Sequence, residues 1–252
     1  MLEVYDSHLH MGMLSDKCIV HPREVLSFIR KHHVKGGIIM PTARIDGGDN
    51  LALHESLYGE SISIGFQVAL YVNSDILSLY DKHGLDAKYP YCALKIHPEA
   101  INYTDKEIEI ACHMAMELKK PLYIHTGGNP NCQSSRFERY IEKYPKQIFV
   151  LCHCRPYDET ANLMKKCKNV WVDTAFLSFE KVKSLVFKGY EDRILFGSDY
   201  PINRWFEELT DDDIWYQKQI IDISENLSLI VSEKILYKNY MNLFGKDIIK
   251  MI

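Results

Sequence analysis

Val4-Tyr5-Asp6-Ser7-His8-Leu9-His10-Met11-Gly12-Met13-Leu14 begins as a strand and then fails to become a phosphate-binding loop. An extended strand sends alternate side chains to opposite faces, so His8 and His10 point one way and Leu9 the other. Two imidazoles on one face of a strand can reach a single metal ion together. Taken alone, His-x-His is more often a pair of surface histidines. The residues just after the histidines bear on the fold. An open doubly wound sheet carries a glycine-rich fingerprint after its first strand, and His10-Met11-Gly12-Met13-Leu14 does not supply one.

Outward from this segment the chain alternates short apolar runs with longer amphipathic stretches. The candidate strands are 4–10, 36–41, 63–71, 92–98, 121–126, 148–154, 170–176 and 194–199. Most are rich in Val, Ile and Leu and bounded by Gly, Pro or polar clusters. A helix runs from Pro22 to about Lys31, with proline in its first turn. Another is announced by Thr104-Asp105-Lys106-Glu107, a capping box ahead of Ile108, Ala111, Cys112, Ala115 and Leu118. Further helices are expected near 74–82, 134–144, 158–168 and 178–188, and two more in the tail from 211 to 250, the second around 231–244. Eight strand-then-helix cycles in 252 residues, with no Pro/Ser-rich linker, predict a closed parallel (β/α)8 TIM barrel. It is expected to form one domain over 1–252 with extra C-terminal helices.

Composition narrows the function. Hydrophobic residues at 46% and charged residues at 25% give a soluble globular profile. A net charge of −4 offers no general attraction to nucleic acid or an anionic membrane, and no apolar run is long enough to span a bilayer. Seven cysteines, an odd number, read as free thiols of a reducing cytosol. The ligand-like pattern starts at Asp6, which leaves no room for a cleaved leader, so a cytoplasmic location is expected.

Barrel enzymes place their chemistry at the C-terminal ends of the strands. Strand one supplies His8 and His10. In Ala93-Leu94-Lys95-Ile96-His97-Pro98, Lys95 and His97 share a face opposite Leu94 and Ile96. Pro121-Leu122-Tyr123-Ile124-His125 ends in His125, and Phe149-Val150-Leu151-Cys152-His153-Cys154 offers His153 inward, with both cysteines expected outward. Ile194-Leu195-Phe196-Gly197-Ser198-Asp199-Tyr200-Pro201 ends in Asp199. Each residue alone has a bland explanation, a hydrogen-bonded histidine or a capping aspartate. Cys152-His153-Cys154 is too closely spaced to close a zinc tetrahedron by itself. Agreement of all of them in order, parity and end of the barrel is not bland.

Together these stretches, with Asn169-Val170-Trp171-Val172-Asp173-Thr174 and the tail Ile235–Gly245, resemble the amidohydrolase superfamily, in its amidohydrolase-2 branch of barrel hydrolases and non-oxidative decarboxylases related to aminocarboxymuconate semialdehyde decarboxylase. The resemblance covers nearly the whole chain. It implies that His8, His10, His125 and Asp199 ligate one divalent ion, zinc by preference with manganese or iron as alternatives, and that His153 is the catalytic imidazole beside it. Lys95 then serves as a cation for the substrate. In the two-metal version of the superfamily's chemistry, a carbamylated Lys95 bridges a second ion.

Arg44, Arg155 and Arg204 come just after the ends of strands two, six and eight and would line the barrel mouth. Guanidinium groups there favour a carboxylate-bearing small molecule, although Arg155 could instead pair with Asp158. The expected activity is hydrolysis of a lactone, amide or related bond by activated water, with Lys95, His153 and Asp199 as the catalytic group. A decarboxylase of the same branch is the alternative. A TatD-like phosphodiesterase is disfavoured, because its family carries a glutamate where this chain has Lys95. A non-catalytic barrel is disfavoured because no member of the ligand set is missing. No nucleic-acid or membrane partner is expected, and a homo-oligomer is compatible with the sequence.

Overall fold

The computed structural model describes residues 2–15, 18–41, 59, 65–83, 91–127, 129–201 and 212–248. Eight parallel strands form one sheet in sequence order: β1 (Tyr5–His10), β4 (Gly36–Met40), β5 (Gln67–Tyr71), β6 (Ala93–Ile96), β7 (Leu122–His125), β8 (Phe149–Cys152), β9 (Val170–Asp173) and β10 (Ile194–Leu195). A small antiparallel hairpin, β2 (Gly12–Ser15) and β3 (Cys18–Val20), comes directly after β1 and was not expected from the sequence. The sheet closes on itself. Ser7 donates its N–H to Phe196 O at 2.8 Å, Asp199 to His8 O at 2.8 Å and His10 to Tyr200 O at 2.8 Å, with Leu9 and Tyr200 forming a parallel bridge. The architecture is a (β/α)8 TIM barrel.

Alternation within each strand sorts the side chains into two cores. Leu94, Ile96, Leu122, Ile124, Phe149, Leu151 and Val172 belong to the large outer core beneath the helices. Ile38, Met40, Ala69, Ala93, Tyr123, Val150, Cys152 and Leu195 fill the barrel itself. The helices are α1 (Pro22–Lys31), α2 (Ser74–His83), α3 (Asp105–Leu118), α4 (Glu138–Lys143), α5 (Tyr157–Lys166), α6 (Phe179–Phe187), α7 (Asp212–Asn226), α8 (Leu229–Glu233) and α9 (Asn239–Ile248). The capping box at α3 forms as read: Glu107 N–H donates to Thr104 Oγ1 at 3.2 Å, and Thr104 N–H to Glu107 Oε2 at 2.8 Å. Among the described residues no helix is long and apolar enough to cross a membrane.

The strands are shorter than the apolar runs suggested. The run 148–154 stays in the ladder only to Cys152, because His153 and Cys154 turn left-handed at φ 66° and 50°. The last run, 194–199, is a strand only over Ile194–Leu195, and Asp199 also turns left-handed at φ 60°. The stretch 134–144 begins as a 3-10 turn over Ser134–Phe137 before α4, and the tail passes from α8 to α9 through a π-helical turn at Lys234–Lys238.

α9 closes the end of the barrel away from the strand C-termini. Tyr240 stacks on Tyr5 with centroids 5.0 Å apart and donates its hydroxyl to Gln67 Oε1 at 2.7 Å, while Phe244, 1% exposed, packs against Tyr240 and Tyr123. Asn239 donates to the carbonyls of Ile194 and Glu191, tying this floor to β10. Phe244→Ala should therefore lower the unfolding free energy by ~3–5 kcal/mol, seen as a reduced urea midpoint at unchanged slope. A midpoint equal to wild type would show that the floor does not support the barrel.

Candidate metal centre

Closure of the barrel brings its first and last strands side by side, and their polar residues meet at the C-terminal mouth. A register shift between Asp6 and Leu9 interrupts β1, the kind of irregularity that re-aims side chains. Beyond it, His8 and His10 both turn inward and Leu9 joins the outer core, as the alternation requires. His8 Nε2 lies 3.1 Å and His10 Nε2 3.0 Å from the same atom, Asp199 Oδ1. Gly197 makes this approach possible, since a Cβ there would sit 2.9 Å from His8 Cβ and 3.3 Å from Asp173 Cβ.

The remaining nitrogens fix the tautomers. His10 Nδ1–H donates to Met40 O at 2.9 Å, because a carbonyl only accepts, which turns Nε2 toward Asp199. His8 Nδ1–H donates to Asp173 Oδ2 at 2.8 Å. Burial, reinforced by the charge of Lys95, holds His8 well below the usual imidazole range, so this ring is neutral and its Nε2 is bare. Two imidazole nitrogens thus face one aspartate oxygen, and the one from His8 is a lone pair.

The same logic repeats one step outward. His153 Nδ1–H donates to Ala175 O at 3.3 Å, which leaves its Nε2 bare, and that atom faces His125 Nδ1 at 3.1 Å. His125 Nε2–H donates to the Glu99 carboxylate at 3.0 Å, so His125 Nδ1 is a lone pair as well. Burial holds both rings well below the usual range, with His153 lowering His125 further and His8 lowering His153. His8, His153 and Asp199 offer atoms that all lie within 4.8 Å of one another. Among the described residues these three stand close enough to share one ion, while His10 reaches the group through Asp199 and His125 through His153. This donor set fits a divalent cation, which is what would reconcile it.

The supporting contacts are as specific. Asp173, fully buried, accepts from His8 through Oδ2 and from the backbone N–H of His153 through Oδ1 at 2.8 Å; burial pushes its carboxyl up to about 7. Asp6, likewise raised by burial to about 7, accepts from the backbone of His8 at 3.0 Å and of Ser198 at 3.1 Å. Thr126 Oγ1 accepts from Arg155 N–H at 3.0 Å and donates to Cys152 O, fastening the turn that presents His153.

Lys95, 1% exposed, donates to Cys152 Sγ at 3.0 Å. That contact corrects the reading of strand six. Cys152 points into the barrel beside Val150 and Lys95, and only Cys154 joins the outer core. His153 reaches the site because the chain leaves the strand with a left-handed backbone, not by alternation between two outward cysteines. Arg155 lies with its guanidinium 4.9 Å from the Phe176 ring centre; its Nε has no hydrogen-bond partner, and no ion pair with Asp158 forms among the described residues. Arg44 and Arg204 lie outside the described residues.

Sequence reasoning assigned no role to Asp173, His97 or Glu99. Asp173 ends β9 just as His125 ends β7, and strand-end position was the available signal. His97 shares its parity with Lys95 and stacks on His125 at 3.8 Å and 14°; burial and the Lys95 charge hold it near 3. Glu99 lies in a connection with no periodicity to mark it.

The amidohydrolase family model matches residues 92–246, a span that carries Lys95, His125, His153 and Asp199 but not the His8–His10 pair. No curated protein matches the chain. Among solved structures, amidohydrolase 2 from Bifidobacterium longum subsp. infantis is similar at a TM-score of 0.69 and 12% identity, over 97% of this chain and 99% of that one. A probable 2-pyrone-4,6-dicarboxylic acid hydrolase from Acinetobacter baumannii, with citric acid bound, gives 0.65 and 13%, over 97% and 100%. An amidohydrolase from Burkholderia multivorans with bound zinc gives 0.72 and 10%, over 96% and 99%. At such identities these likenesses establish the barrel fold, and it is the family match over most of the chain, with the fold, that decides membership: the chain belongs to the amidohydrolase family, in its amidohydrolase-2 branch.

Proposed function

We propose that this protein is a metal-dependent hydrolase that opens a lactone, amide or related bond in a small carboxylate-bearing molecule. The observation that carries the reading is the meeting of His8 Nε2 and His10 Nε2 on Asp199 Oδ1, with their Nδ1 atoms already committed to Asp173 and Met40. His8, His10, Asp199 and His125 through Nδ1 would hold the ion, and three imidazoles with one carboxylate suit zinc. When bound, a divalent ion supplies Lewis acidity to a carbonyl and acidity to water near neutral pH.

The chain's own groups supply the rest. His153 is neutral, with Nε2 turned into the site and Nδ1–H steadied by Ala175 O, so it accepts a proton at Nε2 without losing its orientation. Asp199 stays ionised and can receive a proton at its second oxygen. Lys95 brings a buried positive charge toward the substrate, and Arg155, braced on Phe176, can grip a carboxylate. Arg44 and Arg204 remain assigned to the same lip from the sequence. The citric acid bound in the Acinetobacter baumannii relative is a carboxylate-rich ligand and supports this substrate class.

Purified protein should carry about one divalent ion per chain by elemental analysis, and His10→Ala, His125→Ala or Asp199→Ala should lose it. Near-full occupancy in Asp199→Ala would remove that residue from the ligand set. Screening the holoenzyme on lactones, amides and dicarboxylates tests the reaction; release of carbon dioxide in place of ring opening or amide cleavage would make the chain a decarboxylase of the same branch.

His153→Asn should keep its ion while turnover falls by ~10²–10⁴. Loss of the ion with the activity would make His153 a ligand. Lys95 is expected to act as a free ammonium: bicarbonate with excess metal should leave turnover unchanged, and a rise would indicate a carbamate bridging two ions.

A further inference from the structure

We propose that the barrel mouth carries an outer zinc site formed by Glu99, His125 and Cys132, beside the centre built on His8, His10 and Asp199 and filled when zinc is in excess. The three ligands come from separate segments: the connection after β6, the end of β7 and the short turn Pro130–Cys132. A carboxylate oxygen, an imidazole nitrogen and the thiol sulfur all lie within 4.8 Å of one another, with Glu99 Oε2 and His125 Nε2 3.0 Å apart. Cys132 is fully buried, and Glu99 reaches in from a half-exposed position, its side chain 52% exposed.

Gly127 borders the space among them. A Cβ at that position would lie 3.5 Å from His125 Nε2, 3.9 Å from Glu99 Oε2 and 4.0 Å from Cys132 Cβ, in ordinary contact with all three residues. Backbone bonds hold the cradle: Gly127 N–H donates to Cys132 O at 3.2 Å and Cys132 N–H to Asn129 O at 2.8 Å. Sulfur, nitrogen and oxygen ligands in a set of three, with a fourth position for water, match tetrahedral zinc, and the thiolate selects against magnesium and calcium.

The His125–Glu99 hydrogen bond is what the site holds when this position is empty. Zinc takes the place of the Nε2 proton and of the Cys132 thiol proton, so filling the site releases protons. The ring then serves two ions, Nδ1 inward and Nε2 outward. Two dications on one imidazole repel, so the outer ion binds more weakly and enters second. A bridge through carbamylated Lys95 would use neither Glu99 nor any sulfur, which keeps the two arrangements distinct.

The test is metal binding by the full chain, stripped and titrated with Zn²⁺ for stoichiometry and with Co²⁺ for its thiolate-to-metal charge-transfer band. Wild type should take up about two ions, with the sulfur band growing alongside the second. Cys132→Ser should lose the band and the second ion while keeping the first. Glu99→Gln, a change at a half-exposed side chain that leaves the fold intact, should weaken the second ion by roughly tenfold or more. Asp199→Ala should lose the inner ion and retain the band, so failure of the hydrolase centre is read apart from failure of this site. Absence of a sulfur band in wild type at excess cobalt, its persistence in Cys132→Ser, or its loss in Asp199→Ala would each overturn the proposal.

Discussion

The seam between β1 and the segment 196–200 is the constraint on which the rest of the molecule depends. Three backbone hydrogen bonds cross it, from Ser7, His10 and Asp199, and Asp6 adds a side-chain clasp that holds His8 and Ser198 through one carboxylate oxygen. Each bond contributes about 1 kcal/mol net, but leaving one of these buried groups unpaired costs more than making it gains. The seam therefore closes completely or not at all. Because His8, His10 and Asp199 are themselves residues of the seam, closing the barrel and assembling the site are one event. Gly197 lies at this junction, where a side chain would run into the Cβ atoms of His8 and Asp173.

Closing the seam sets up an electrostatic problem as well as a geometric one. Asp199, the bare nitrogen of His8, and the facing nitrogens of His125 and His153 bring electron pairs together in a site with little water. Protonation is a poor remedy, since burial and Lys95 hold His8, His125 and His153 well below the usual range. A bound cation removes the repulsion at one stroke. Metal binding of the kind proposed would then be linked to folding stability, because an ion that binds only the closed barrel stabilises it by mass action.

Most of the fold was legible because it depends on local periodicity. Every barrel strand falls inside an apolar run, and the alternation of Leu94 and Ile96 against Lys95 and His97 predicts which faces meet the helices. At the mouth of the barrel the places where reading failed share one cause. Cys152, His153 and Asp199 lie where the chain leaves the ladder, and there a left-handed residue changes the direction of every later side chain in the segment. Parity cannot be carried across such a residue, so alternation gives His153 the right direction for the wrong reason and Cys152 the wrong one. The β2–β3 hairpin was missed because two very short strands leave no run to count. Arg155 could be placed on the lip from its position after strand six, but its contact with Phe176 depends on a further left-handed residue, at φ 58°.

These departures from regular structure also divide the site by task. The groups assigned to hold an ion come from strands or from the seam, where ladder bonds fix their positions. His153, the group assigned to move a proton, sits on a turn with two successive left-handed residues, a conformation that costs of order 1–3 kcal/mol per residue. That turn persists because Thr126 grips its far side and Asp173 accepts the His153 N–H. Asp173 simultaneously orients His8, so a single buried carboxylate sets the pose of the His8 ring and of the backbone that delivers His153. A shift of that carboxylate would disturb both at once. The spacing between the His8 ring and the His153 ring, 5.2 Å between centres, thus depends on Asp173 at the end of β9 as well as on β1.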